Sequence, residues 1–278
     1  MIELPEAITI AGQMSREVQG KRIAEGQRGM PVHKFAFCNR PPAEYVEILR
    51  GKRVGSARDH GGLILVDLEP GYVLTLGGGG ERIILHPAGA KVPGKYQLLL
   101  RFVDDTALSV TVQGWGSLQL LARDELDAHL SRWLAAGCVS PLSREFTLGY
   151  FRAMLGRLGP DDPTSAKLFL TSKPGVRGIG NGCLQDLLWH AKIHPRRRIA
   201  ELTPGEQRAL HAAIRTTLTS MTDQGGRDSE LDLFGQPGRY RRLLHSKSVG
   251  QPCPGCATPI EKQAYLGGSV YFCPACQV

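Results

Sequence analysis

The sequence predicts an α+β protein in which an N-terminal helix and a β-sandwich precede a helical region and a ribbon with four cysteines. Three observations predict this class. Apolar residues recur at helical spacing near the N-terminus, short apolar runs broken by Gly and Pro follow, and four of the seven cysteines lie near the C-terminus. The 278 residues suffice for more than one domain, and we expect three parts, residues 1–122, 123–248 and 249–278.

The charge of the chain favours a polyanionic partner. The formal net charge is +8 and the isoelectric point is about 9.2, which favours nucleic acid, although basic enzymes without such a partner are common. No run of eighteen apolar residues occurs, and the N-terminus MIELPEA is acidic where a signal peptide would be basic and then apolar. We therefore expect a soluble cytoplasmic protein with no membrane partner.

The first predicted element is an amphipathic helix over residues 3–18. Its apolar stripe consists of Leu4, Ala7, Ile8, Ala11, Met14 and Val18. Pro5 suits the first helical turn, and the spacing of Glu3 and Glu6 predicts two carboxylates on one side of the helix start. These acids either take part in chemistry or only complement the helix dipole.

The next hundred residues predict short strands at the spacing of a sandwich. The apolar runs are residues 62–66, 72–74, 82–85, 96–102 and 108–112. Residues 103–106 predict a hairpin turn between the last two runs. Helix is predicted again over 123–150, with a linker at 141–147 that leads into a capped helix. Helices continue to about Met221, and a polar loop follows at 225–228.

A glycine-rich turn at 178–182 leads directly into a helical pattern. The apolar residues of that helix are Leu184, Leu187, Leu188 and Ala191. Glycines allow close approach of the backbone to a ligand, and the first N–H groups of a helix attract anions, so the turn predicts a phosphate site that includes Asn181. The arginines at 196–198 strengthen this prediction. The alternative is a turn between two helices that pack only for stability.

Two Cys-x2-Cys pairs lie at the end of the chain. They are Cys253 with Cys256 and Cys273 with Cys276, and sixteen residues separate the pairs. Four thiolates complete a tetrahedral zinc shell, so we expect one structural Zn²⁺ per chain, with redox pairing as the alternative. The residues between the pairs predict a β-hairpin with its tip at 266–269.

Together these motifs resemble the formamidopyrimidine-DNA glycosylase and endonuclease VIII family. The motifs are Glu-Leu-Pro-Glu at 3–6, Gln-Gly-Trp-Gly at 113–116, and Gly-Ile-Gly-Asn at 178–181 followed by a helix and Ile-His-Pro-Arg-Arg. The resemblance covers nearly the whole chain. It implies a helix–two-turn–helix domain between the β-sandwich and a zinc ribbon. It also implies a monomeric, nucleoid-associated bacterial protein that binds double-stranded DNA containing a damaged base or an abasic site.

The resemblance implies roles for individual residues. Asn181 takes the place of the asparagine that grips a phosphate beside the damaged nucleotide. Glu3 is expected to orient or activate water, with Glu6 as a second catalytic candidate. Trp115 either stacks on a base step or fills the sandwich core, and Lys173 either contacts phosphate or is a solvated loop lysine.

The sequence departs from the family pattern in several places. Ile2 stands where family members have the proline whose amine attacks the sugar, so the proline nucleophile is missing. A family lysine falls near Gly62, and Arg58 or His60 is therefore expected to contact phosphate instead. The family's wedge methionine falls in the glycine run 77–80, which predicts a roomier lesion site.

Two family arginines are also absent. They correspond to Gly114 and Gly268, at the orphaned base and at the hairpin tip. A basic run before the ribbon is expected to contact the DNA backbone, although most such runs are solvated faces. Its members are Arg227, Arg239, Arg241, Arg242, His245 and Lys247.

Our leading hypothesis is a DNA repair glycosylase that flips a damaged base out of the duplex and excises it by hydrolysis, without the proline-dependent lyase step. One alternative is a catalytically silent lesion-binding protein on the same scaffold. The other is a bifunctional glycosylase and lyase that uses the N-terminal amine.

Overall fold

The computed structural model describes residues 1–29, 34–131, 138–173 and 175–278. They form two compact units. Unit 1 comprises the described residues of Met1–Leu134 together with Gln224–Tyr240, and unit 2 comprises those of Ala135–Asp223 together with Arg241–Val278. The sequence predicts three domains, with boundaries after residues 122 and 248, and this division stays a prediction.

Unit 1 begins with helix α1, Leu4–Glu17. Glu3 and Glu6 form a capping box at its start, in which the Glu6 carboxylate accepts the backbone N–H of Glu3 at 3.0 Å. Pro5 lies in the first turn, where its missing N–H costs no hydrogen bond. The predicted amphipathic helix is confirmed, but its buried face includes Ile10, whereas Ile8 of the predicted stripe is half-buried.

Two β-sheets follow α1. Their strands are β1 Ile23–Arg28, β2 Ala36–Cys38, β3 Arg53–His60, β4 Leu63–Glu69, β5 Tyr72–Gly77, β6 Glu81–His86, β7 Leu98–Phe102, β8 Ala107–Val112 and β9 Gly116–Ala122. One sheet has the antiparallel order β1-β7-β8-β6. The other has the order β2-β9-β5-β4-β3, in which β2 runs parallel to β9 and the remaining neighbours are antiparallel. Helix α2, Pro42–Leu49, lies between β2 and β3 in the chain.

The two sheets and α1 share one hydrophobic core. Its members include Ile64, Val66 and Leu68 from β4, Leu108, Val110 and Val112 from β8, and Ile10 and Met14 from α1. Alternate residues of β4 and β8 therefore point to the same core, as the two-residue period of a strand requires. This arrangement confirms the predicted β-sandwich.

A distant segment completes unit 1. Gln224–Tyr240 groups with the sandwich, although the sequence analysis places it in the helical part. Leu233 is buried in the core, and its carbonyl oxygen accepts the N–H of Leu85 at 2.8 Å. Gln13 of α1 accepts the N–H of Leu233 at 2.9 Å across 220 residues of sequence, a separation that local patterns do not reveal.

Unit 2 contains four helices and one hairpin within the described residues. They are α4 Leu148–Leu155, α5 Ala166–Thr171, α6 Asn181–Ala191 and α7 Pro204–Asp223, with strands β10 Glu261–Tyr265 and β11 Gly268–Phe272. Thr147 caps α4 by accepting the N–H of Tyr150 at 3.1 Å, as the linker predicts. None of the helices in the described ranges is long and apolar enough to cross a membrane.

The helix predicted over 123–150 is interrupted. A single 3-10 turn at Arg123–Glu125 and the short helix α3, Leu126–Leu130, belong to unit 1. The stretch 138–147 consists of turns before α4. Residues 132–137 of the predicted helix lie outside the described residues.

Helices α5 and α6 are joined by two turns. The N–H of Ile179 donates to the carbonyl oxygen of Val176 at 3.0 Å. Gly175 and Gly178 have φ values of 82° and 77°, a left-handed conformation that glycine adopts without a Cβ penalty. The predicted helix–two-turn–helix is present, and its second helix begins at Asn181.

Candidate functional site

Arg227 joins the two glutamates at the start of α1 in a buried cluster, which we call the carboxylate cluster. Its Nη1 donates to Glu3 Oε1 at 3.0 Å, and its Nε and Nη2 donate to Glu6 at 2.9 and 2.8 Å. The three side chains are no more than 3% exposed. A guanidinium stays charged in proteins, so it offsets the cost of burying the two carboxylates.

The structure corrects the prediction that Arg227 contacts the DNA backbone. Its side chain is 2% exposed, and Nη2 also donates to the carbonyl oxygen of Met1 at 2.7 Å. Arg227 therefore fixes Glu3 and the first residues of the chain in place. Two carboxylates at a buried helix start require a nearby cation, and this requirement is the only sequence signal that could have indicated such a partner.

Glu6 has no acceptor site left for water. Its Oε1 accepts the backbone N–H and the Nε of Arg227, each at 2.9 Å. Its Oε2 accepts Nη2 of Arg227 at 2.8 Å and the N–H of Glu3 at 3.0 Å. An ionised carboxylate offers about four lone-pair sites, and four donors fill them. Glu6 as a second water-activating residue does not fit this geometry.

The amino group of Met1 lies at a small cavity of unit 1. It donates to Glu230 Oε2 at 2.5 Å. The cavity has a volume of about 210 Å³, and its lining includes Met1, Gly80, Glu81, Arg82, Trp115 and Glu230. Trp115 is 39% exposed. It therefore stands at the surface beside the cavity, and the alternative of a sandwich-core tryptophan is wrong.

The glycine run 77–80 is closely packed. A Cβ at Gly79 would lie 2.5 Å from the carbonyl oxygen of Trp115, and one at Gly80 would lie 1.8 Å from that of Gln113. Both distances are far below van der Waals contact, so these two positions admit only glycine. Neighbouring backbone therefore fills the space at these two positions, whereas a Cβ at Gly78 would lie 3.2 Å from Leu63 Cδ2. The roomier lesion site stays a prediction.

Glu81 is a buried acid that the sequence analysis missed. It follows the glycine run and is 3% exposed. Its Oε2 accepts the N–H of Gly79 at 2.9 Å, and its Oε1 accepts the N–H of Ser117 at 2.7 Å. Burial raises the pKa of Glu81, while the two N–H donors and the Met1 ammonium act in the opposite direction.

The predicted phosphate contacts Arg58 and His60 lie on β3. Arg58 is 44% exposed and pairs with Asp67 at 3.1 Å. Asp67 also pairs with Arg123 at 2.9 Å. His60 is half-buried at the end of the strand. Arg58 is thus available at the surface, and the contacts of both residues with phosphate stay predictions.

In unit 2, Asn181 contacts the hairpin between the cysteine pairs. Its Nδ2 donates to the carbonyl oxygen of Ser269 at 3.1 Å, and Gln185 Nε2 donates to the same oxygen at 3.2 Å. A Cβ at Gly268 would lie 3.7 Å from Asn181 Nδ2, so the hairpin backbone passes directly against Asn181. Asn181 is held where α6 meets the hairpin, and its grip on a phosphate stays a prediction.

Lys167 is a buried cation at the same junction, and the sequence analysis missed it. It is 4% exposed, and its Nζ donates to the carbonyl oxygen of Tyr265 at 2.6 Å. Burial lowers the pKa of Lys167. The Tyr265 ring centroid lies 5.9 Å from Lys167 Nζ and 5.1 Å from the Arg196 guanidinium carbon, which are cation–π distances. A lysine inside the apolar helix α5 is the signal that could have indicated this site.

Acidic residues partly neutralise the predicted arginine triplet. Arg198 pairs with Glu201 at 3.0 Å. Arg197 lies farther from its partners, 3.8 Å from Glu201 and 3.9 Å from Glu206. Arg196 is exposed, so it offers the most accessible charge of the three.

The remaining predicted DNA contacts are basic residues at the surface of unit 2 and at the end of the distant segment. Lys173 is exposed in the loop after α5. Of the basic run, Arg239, Arg241 and Lys247 are exposed, and Arg242 and His245 are half-buried. Their contact with a nucleic-acid backbone stays a prediction.

The four cysteines predicted to bind metal converge in unit 2. All four Sγ atoms lie within 4.8 Å of one another, with Cys253 to Cys276 at 3.9 Å and Cys256 to Cys273 at 3.4 Å. Thiolates about 2.3 Å from a tetrahedral zinc ion would lie roughly 3.8 Å apart. Trp189 Nε1 donates to Cys253 Sγ at 3.3 Å, as an outer-shell donor to a thiolate would. The four residues therefore fit a structural metal ion.

The curated relatives of this chain share one name. No protein-family model matches the chain. A curated formamidopyrimidine-DNA glycosylase of Gluconobacter oxydans is 31% identical over 287 aligned positions, which cover 100% of this chain and 100% of the relative. One from Salinispora arenicola is 29% identical and covers 100% of this chain and 96% of the relative.

Solved structures show the same fold. A complex between Lactococcus lactis Fpg and DNA containing an abasic site aligns with a TM-score of 0.84 at 22% identity, over 99% of each chain. A complex of a mutant of that protein with DNA containing Fapy-dG aligns with a TM-score of 0.85 over the same fractions. The similarity in architecture therefore extends over both units.

Proposed function

Because this chain belongs to the formamidopyrimidine-DNA glycosylase family, we propose that it is a DNA repair glycosylase that excises a damaged base by hydrolysis. Its partner is double-stranded DNA that contains a damaged base. The carboxylate cluster carries the chemistry in place of the missing proline. The observation that carries this proposal is the buried contact of Arg227 with Glu3 and Glu6 at the start of α1.

Glu3 is the residue to which we assign the reaction. Breaking the bond between the sugar carbon C1′ and the base leaves positive charge on the sugar, which a nearby carboxylate stabilises while it orients the attacking water. Arg227 holds Glu3 at 3.0 Å and keeps it in one orientation. Glu6, with four donors on its carboxylate, anchors Arg227, so both residues position Glu3.

The lyase step is not supported by the groups near the N-terminus. Residue 2 supplies only a backbone amide, and the N–H of Ile2 donates to the carbonyl oxygen of Gly79 at 2.7 Å. The Met1 amine is paired with Glu230. The amine would have to leave this ion pair before it could attack the sugar.

Recognition of DNA is assigned to residues of both units. In unit 2, Asn181 and Lys173 contact phosphates, and exposed arginines add affinity that depends on salt. In unit 1, Arg58 and His60 contact phosphate and Trp115 stacks on a base step. The four cysteines hold a Zn²⁺, which fixes the hairpin that packs against Asn181.

The test is base release by wild type and a Glu3→Gln variant on duplexes with a panel of oxidised and alkylated bases. We expect the variant to lose about 10²- to 10⁴-fold in single-turnover rate. The matched control is Glu17→Gln, an exposed acid on the same helix, which should leave the rate unchanged. Base release untouched by Glu3→Gln would remove Glu3 from the mechanism.

A second outcome separates catalysis from binding. If wild type binds the damaged duplexes but releases no base from any of them, the chain is a lesion-binding protein on this scaffold. Binding alone would then depend on Asn181 and not on Glu3.

A further inference from the structure

Glu81 differs in its surroundings from the acids of the carboxylate cluster. Glu3 and Glu6 are paired with Arg227. Glu81 is as deeply buried as they are, yet within the described part of the chain no side-chain cation pairs with it, and its carboxylate is held by the backbone N–H groups of Gly79 and Ser117. A buried carboxyl held only by neutral donors is the one that takes up a proton more readily.

The position of Glu81 is fixed by the fold. A Cβ at Gly116 would lie 2.6 Å from Glu81 Oε1, so the carboxyl fits a space that exists because residue 116 is glycine. The same Gly79 that donates to Glu81 accepts the N–H of Ile2 through its carbonyl oxygen. Glu81 and the chain segment that bears Glu3 are therefore tied to one residue of the glycine run.

The cavity beside Glu81 suits a small polar ring. Its volume of about 210 Å³ is below the roughly 300–1,000 Å³ of sites for drug-sized ligands, so the guest is a single heterocycle. The charged groups around Glu81 at this cavity are the Met1 ammonium, Arg82 and Glu230. Trp115 supplies an exposed aromatic surface at the same place.

We infer that Glu81 is the general acid that protonates the departing base, while Glu3 orients the attacking water and accepts its proton. This inference rests on the proposed glycosylase function. It follows the general rule that two carboxyl groups in unlike environments divide the acid and base roles. Glu81 lies outside the motifs on which the resemblance to the family rests.

The proposed step balances. The bond between C1′ and the base nitrogen breaks, and its electron pair stays with the base, which takes the proton of the Glu81 carboxyl. The oxygen of water forms the new bond to C1′, and its proton passes to the Glu3 carboxylate. The products are the free base and an abasic sugar, and solvent returns a proton to Glu81 and removes one from Glu3.

The experiment compares two leaving groups in otherwise identical duplexes. 7-Methylguanine already carries a positive charge and needs no proton to leave, whereas 8-oxoguanine is neutral and does. For the neutral base, wild type should lose rate as the pH rises from about 5 to 9, because Glu81 must be protonated to act. For the charged base this loss should be absent.

The Glu81→Gln variant should lose about 10²- to 10⁴-fold with the neutral base and keep its rate with the charged one. Exposed Glu47→Gln is the control. An equal loss on both bases would mean a structural role and overturn the inference, and so would an unchanged rate with the neutral base. Release of the charged base alone by wild type would also count against an acid at this site.

A second variant guards against misfolding of Glu81→Gln, whose amide would face a backbone N–H. Glu81→Ala leaves a space that added formate can enter, and formic acid should restore release of the neutral base. Failure of rescue in a folded Glu81→Ala protein would contradict the acid role. If wild type released no base at all, the proposed function itself would fall and take this inference with it.

Discussion

Two groups of side chains that repel one another when ionised lie close together in this chain, and they differ in where a neutralising cation would come from. In unit 1, the carboxylates of Glu3 and Glu6 share Arg227, which lies 221 or more residues away in sequence. In unit 2, four cysteines from a short C-terminal stretch lie close enough together to hold a metal ion. The carboxylate cluster therefore has its cation within the chain, whereas we expect the cysteine cluster to depend on metal supply.

Metal removal should produce the largest difference in stability between the two units. A structural zinc ion contributes about 10–16 kcal/mol in small zinc-binding peptides at neutral pH, so a strong chelator should unfold the hairpin β10–β11. Hydrogen exchange read by mass spectrometry should show lost protection over residues 253–278 and unchanged protection in α1. Equal loss of hydrogen-exchange protection in both regions would contradict a metal dependence confined to unit 2.

Removal of the internal cation should affect unit 1 alone. Arg227→Met leaves two buried carboxylates without a partner, and we expect unit 1 to lose about 3–5 kcal/mol of unfolding free energy. The exposed Arg239→Met in the same segment should stay within about 0.5 kcal/mol of wild type. Denaturant unfolding followed in metal-loaded protein measures both, and a small loss for Arg227→Met would show that the buried pairing contributes little.

Removal of all three charges should undo most of that loss. Replacing a whole buried ion cluster is often close to neutral, whereas removing one member is costly. A protein with Arg227→Met, Glu3→Gln and Glu6→Gln should therefore be more stable than Arg227→Met alone, while it stays inactive in base release. Additive losses in a mutant cycle would contradict charge neutralisation as the reason for the cluster.

The smallest expected effect concerns Asn181, which has no charge. Asn181→Ala should weaken binding to a damaged duplex about tenfold, or roughly 1.4 kcal/mol, without a change in the slope of affinity against salt. Lys173→Ala should reduce that slope by about one. Titrations at several salt concentrations measure both, with Gln251→Ala as the exposed control in unit 2.

The same comparison explains what the sequence could and could not predict. The stripe of α1, the sandwich strands and the spacing of Cys253, Cys256, Cys273 and Cys276 are local patterns, so they predict their structures directly. Arg227 could not be placed, because its burial depends on Gln224–Tyr240 crossing back to the sandwich. Its place in a basic run predicted contact with the DNA backbone at the surface, whereas its side chain is only 2% exposed.

The glycine run shows the same limit at shorter range. Four consecutive glycines are compatible with a flexible backbone or with close packing against a neighbour. Only the neighbouring backbone of Gln113 and Trp115 decides between the two. Glu81 was missed for this reason, since its donor Ser117 lies 36 residues away. Long-range contacts therefore determine the buried acids of unit 1, whereas short-range spacing determines the cysteine cluster of unit 2.

The central claim is that this chain releases the base by hydrolysis assisted by carboxylates, and not by attack of an amine on the sugar. Trapping with borohydride during single-turnover base release tests it most directly, because borohydride makes a Schiff base between an amine and the opened sugar permanent. Our account predicts released base and an abasic duplex with no covalent protein–DNA adduct. A stable adduct whose mass maps to Met1 would contradict it.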